Sequence, residues 1–178
     1  MRPVRRGLSA RPPNVAFLGG LMPAEGGVVA MEQVMKKPTH LWIVGILGLI
    51  WNGIGCYDYL MTRLRNEDYF RSMGTDPQAM LAWVDGFPIY AQFGWGLGVW
   101  MGLTGSALLV MGHRWAVPAL GLSLLGAVVG LGYQIFLAPP APAPMNEGPG
   151  ALMPWVIIAI AALLFYYANR QKTNGVLR

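Results

Sequence analysis

Asp58 and Asn52 are the residues with chemistry to explain, because both lie inside one long apolar stretch, LWIVGILGLIWNGIGCYDYLM at 41–61. A carboxylate or an amide in hydrocarbon is costly, and it turns towards protein or a watery cavity. Asn52 sits at the centre of the stretch and Asp58 near one end, roughly 10 Å from the midplane at 1.5 Å of rise per residue. A partly desolvated Asp58 could exchange a proton or anchor a solute, or it could pair with an arginine or a tyrosine. Asn52 could bind a hydroxyl-bearing solute, or hydrogen-bond across helices as structural glue, typically worth about 1 kcal/mol. Helical spacing groups Asn52 with Cys56, Tyr59 and Arg63, and Asp58 with Trp51, Gly55 and Thr62. The two faces lie about 120° apart, so both must contact protein if neither polar group is to face lipid.

Gln92, Tyr133 and Gln134 fall in the same exterior half of the membrane as Asp58 if the spans alternate. With Tyr59 and Thr62 they outline a candidate vestibule. The candidate substrate-binding residues are therefore Asn52, Asp58, Tyr59, Gln92 and Gln134. Trp51 and Trp100 are deep enough to stack on an apolar ring face or to fill a gap in the bundle. The chain carries no catalytic motif and is not expected to be an enzyme. Cys56 is the only cysteine, and His40 and His113 are the only imidazoles, each at a span edge. These cannot form the ligand clusters of a zinc site or the histidine pair of a haem, so no metal or cofactor is expected.

The elements that must position these residues are membrane spans. Hydrophobic residues make up 54% of the 178 and charged residues only 12%, about half the charged share of a soluble domain. Four stretches, 41–61, 88–111, 115–137 and 152–168, approach or exceed the roughly 20 apolar residues that cross a bilayer. Lipid offers the backbone no hydrogen bonds, so each must be helical. The expected fold is all-α, an integral membrane bundle of four transmembrane helices with a short interfacial helix in the first exterior loop. In that loop, Thr75 is the expected cap of a helix opening at Pro77 and ending near Gly86, with Gln78 three residues after the cap. Its reading is either a lid over a site or a helix lying in the interface. The proline- and glycine-rich segment 138–150 is expected to be an extended spacer.

Gly94, Gly98, Gly102 and Ser106 form a small-residue stripe on the second span, matched by Ser123, Gly126 and Gly130 on the third. Such stripes let helix backbones approach closely, within one monomer or between two. The net charge of +5 reflects basic residues flanking spans rather than nucleic-acid binding. Lys36, Lys37, Arg114, Arg170, Lys172 and Arg178 would share one side, and positive residues favour the cytoplasm. The expectation is an inner-membrane protein with both termini cytoplasmic. Residues 1–34 carry four arginines and no sustained periodicity. They read as a disordered extension or as the product of a mis-assigned start upstream of Met31 or Met35.

The runs Thr39-His40-Leu41-Trp42 and Trp51-Asn52-Gly53-Ile54-Gly55-Cys56-Tyr57-Asp58-Tyr59 resemble small four-span bacterial membrane proteins of an alphaproteobacterial type. So do Thr62-Arg63 with Arg65-Asn66-Glu67, Phe87-Pro88, Gly102 to Ser106, and Arg114-Trp115-Ala116-Val117-Pro118. The resemblance covers about residues 35–178, and some members carry the label sugar transporter. It implies a transport-related protein for a small polar, sugar-like solute, acting in the bilayer as a homo-oligomer. The alternative is a non-catalytic accessory subunit that docks a partner membrane protein through its glycine-lined faces.

Overall fold

A computed structural model of the protein describes residues 38–178; the reading of 1–34 lies outside them. Every regular element among the described residues is a helix. They are α1 (Thr39–Arg63), α2 (Glu67–Ser72), α3 (Pro77–Asp85), α4 (Ile89–Val110), α5 (Ala116–Phe136) and α6 (Gly148–Thr173). Four of them, α1, α4, α5 and α6, are long and apolar enough to cross a membrane. Each spans at least the stretch read from sequence to within a residue or two, and α6 adds a turn rich in glycine at its start and a polar turn at its end. Large apolar side chains such as Leu47, Ile50, Phe93 and Leu163 point outwards, as expected of helices solvated by lipid.

α1 packs on α4, α4 on α5 and α5 on α6. The α4–α5 turn is tight because Gly112 takes φ 70°, a left-handed conformation open to glycine. Its N–H and that of His113 donate to the carbonyls of Leu109 and Leu108. The antiparallel hairpin that follows is packed backbone to backbone. Gly94 and Gly98 on α4 oppose Gly126, Ala127 and Gly130 on α5. The Ser123 hydroxyl donates across this contact to the Gly98 carbonyl at 2.6 Å. Both small-residue stripes are thus consumed inside the monomer.

α1 uses the Asn52 face to reach α4. The Asn52 amide donates to the Gly48 carbonyl at 2.9 Å and to the fully buried Ser106 hydroxyl at 3.1 Å. Cys56 approaches the Val99 carbonyl, Tyr59 packs edge-on to Trp95, and Arg63 donates to Gln92 at 2.9 Å. A Cβ at Gly102 would overlap the Asn52 amide oxygen, so that glycine makes the room for the amide. Interhelical bonds of this kind contribute about 0.6 kcal/mol on average and under 2 at most. Asn52→Ala is expected to cost about 1 kcal/mol, read as a lower unfolding midpoint in an SDS titration of the detergent-solubilised protein.

The ends of the bundle differ. At the end that holds both described chain termini, Leu41, Leu109, Leu120, Leu164, Ala168 and Leu177 form one buried cluster. His40 and Tyr167 join α1 to α6 there at 2.6 Å. At the opposite end α1 and α6 stand apart, and α2, α3 and the 138–147 segment fill the top. Phe70, Met80, Leu81 and Val84 make a second buried cluster, with Tyr69, Trp83, Trp95 and Met145 packed against it.

The cap of α3 departs from the sequence expectation. Asp76, not Thr75, is the N-cap: its carboxylate accepts from the backbone N–H groups of Gln78 and Ala79. A charged acceptor directly before Pro77 suits the positive helix end better than a hydroxyl, and Thr75 is buried instead. The sequence reading also left out α2, which Asn66 caps by accepting from the Tyr69 N–H at 2.8 Å.

Candidate functional site

The separation of α1 from α6 leaves a chamber of about 410 Å³ at the capped end, within the range of small-molecule sites. Four spans wall it and the α2–α3 cap roofs it. α1 contributes Trp51, Gly55, Asp58 and Thr62, which is the second helical face read from the sequence. α4 and α5 contribute Trp95, Val99, Ser123, Leu131 and Gln134, and α6 contributes Met153, Ile157 and Ala161. Phe70, Met80, Trp83 and Phe87 close the top. The Trp83 indole N–H donates to the Pro139 carbonyl at 2.9 Å, which ties α3 to the 138–147 segment over the opening.

The structure brings Asp58, Asn52 and Gln134 to this chamber. It does not bring Tyr59 or Gln92. Tyr59 lies between α1 and α4, its hydroxyl close to Gly96. Gln92 accepts from Arg63 and donates to the Phe87 carbonyl, beside a separate surface notch formed with Arg65 and Asp85. In that notch Arg65 and Asp85 pair bidentately at 3.0–3.1 Å, which holds the Arg65 guanidinium above its ordinary pKa. Trp100, the other candidate for ring stacking, is surface-exposed on α4 and does not line the chamber.

Asp58 accepts a hydrogen bond from the Tyr69 hydroxyl at 2.7 Å. Burial under the cap, together with this bond, pushes the Tyr69 phenol well above its usual range. Tyr69 therefore stays a neutral donor and α2 is latched to α1. No other described residue donates to the Asp58 carboxylate. The Thr62 and Thr75 hydroxyls, which both belong to the chamber lining, are buried without a hydrogen-bond partner among the described residues. Pro154 has no N–H, so the Gly150 carbonyl lacks its usual helical donor. The sequence reading missed Tyr69 and Phe70 of α2, while it had offered the helix after Pro77, which carries Met80 and Trp83, as a lid over a site or an interfacial helix. The signal for α2 was faint: Asn66 followed by Glu67 and Asp68 is a helix start, but six residues are too few to show a period.

No group of His, Cys, Asp and Glu among the described residues could hold a metal ion. Searches against protein-family models, curated proteins and solved structures find no match to the chain.

Proposed function

We propose that this is an inner-membrane protein with a transport-related role, which binds a small solute in the chamber between its four spans. The observation that carries the reading is a chamber of about 410 Å³ that holds Asp58, Asn52 and Gln134 inside an otherwise apolar bundle. Orientation follows from charge: Arg114, Arg170 and Lys172 at one end favour cytoplasmic termini. The chamber then lies in the outer half of the bilayer, with α2 and α3 at the outer interface. Asn52 serves mainly as interhelical glue, since its amide is already committed to Gly48 and Ser106. Asp58 is the principal solute contact.

The packing of the glycine stripes of α4 and α5 on each other supports the solute reading over the accessory alternative, in which a partner docks through those faces.

The test is solute uptake into proteoliposomes. Saturable uptake is expected, and Ala161→Phe, which narrows the chamber from α6, should abolish it while the variant still elutes as a folded species. Permeability equal to that of protein-free vesicles for sugars, amines and neutral solutes alike would sink the reading.

A further inference from the structure

The chamber's chemistry narrows the class of solute, given that the chamber is a solute site. Its lining contains one ionisable carboxylate, Asp58, and no lysine, arginine or histidine. A single acid in a low-dielectric wall makes the interior attractive to cations and hostile to anions. The other polar groups of the lining are neutral, among them the Thr62 and Thr75 hydroxyls, the Gln134 amide and the Gly150 carbonyl. Asp58 takes one hydrogen bond and the Gly150 carbonyl lacks its helical partner. Around them stand the rings of Trp51, Tyr69, Trp83, Phe87 and Trp95, whose faces favour organic cations over hydrated inorganic ones.

The route of entry points the same way. Ile54 on α1 and Met153 on α6 line the chamber and are 63% and 46% exposed. The gap between those helices therefore opens sideways, towards where lipid chains lie. A solute arriving by that route must be soluble in the bilayer while carrying its charge.

We infer that the chamber binds a monovalent organic cation with an apolar body, an alkyl- or aryl-ammonium, which enters between α1 and α6 and sets its charge against Asp58 and the surrounding aromatic rings.

The experiment compares benzyltrimethylammonium with neopentylbenzene, its uncharged carbon isostere, and with glucose. Each is titrated into the full chain in lipid nanodiscs, with tryptophan fluorescence as the readout. Saturable binding of the cation is expected to be about tenfold or more tighter than that of the isostere. Asp58→Asn should remove that preference, while Ala161→Phe should weaken both ligands and leave Asp58 untouched. Equal binding of the cation and the isostere, with no effect of Asp58→Asn, overturns the charge assignment but leaves the chamber as a solute site. Binding of glucose alone does the same and returns the solute to the sugar class. No saturable response to any of the three overturns both the inference and the proposed function. Should Asp58→Asn fail to fold, the preference for the cation over its isostere in the unmodified protein and in Ala161→Phe decides the question.

Discussion

Gly126→Val is expected to prevent the four spans from assembling. A Cβ at Gly126 would sit 2.5 Å from the Gly98 amide nitrogen and 2.6 Å from the Gly94 carbonyl oxygen. Both obstacles are backbone atoms, so no change of rotamer relieves the overlap and α4 must move away from α5. That movement also breaks the bond from the Ser123 hydroxyl to the Gly98 carbonyl. Overpacking commonly costs about 1–3 kcal/mol and occasionally more. With rigid helices on both sides we expect about 3 kcal/mol or more, seen as unfolding at much lower SDS fractions in mixed micelles. Gly132→Val on the same helix is the control, because nothing lies within 4 Å of a Cβ there. Its effect is expected to stay within about 0.5 kcal/mol. If the two variants unfold together, the backbone-to-backbone packing of α4 on α5 is wrong.

Phe70→Ala is expected to release the cap without unfolding the bundle. Phe70 is 2% exposed and belongs to the buried cluster with Met80, Leu81 and Val84. Removing a buried phenylalanine costs about 3–5 kcal/mol. The loss falls on a small unit that stands outside the four long helices, so the result should be local opening rather than global unfolding. Hydrogen exchange measured by mass spectrometry should therefore quicken across 67–86. The amides of 91–109 and 117–134 should keep their protection. Uniform acceleration across all segments would mean that the cap is part of the bundle's cooperative core.

The packing of α1 shows how far the sequence reached. Helical spacing alone separated Asn52, Cys56, Tyr59 and Arg63 from Trp51, Gly55, Asp58 and Thr62, and required protein on both faces. The structure gives the first set α4 as its neighbour and the second set the chamber. Period fixes which residues share a face, but it cannot say what the face meets. For the same reason Tyr59 and Gln92 joined a vestibule on the basis of depth, and the fold then turned them elsewhere. Depth is a property of one helix, whereas direction depends on how its neighbours are arranged.

The sequence by itself determined that four helices are long and apolar enough to cross a bilayer, and that glycine stripes would be packing surfaces. These are local consequences of chain composition: apolar length sets the span, and the missing Cβ sets how closely a backbone can be approached. Only the tertiary structure decided that the stripes pair within one chain, that α1 and α6 stand apart at one end, and that Tyr69 latches Asp58 beneath a two-helix cap. Those outcomes depend on contacts between residues far apart in the chain, such as Trp83 with Pro139 and Asn52 with Ser106. No periodicity within a single segment encodes them.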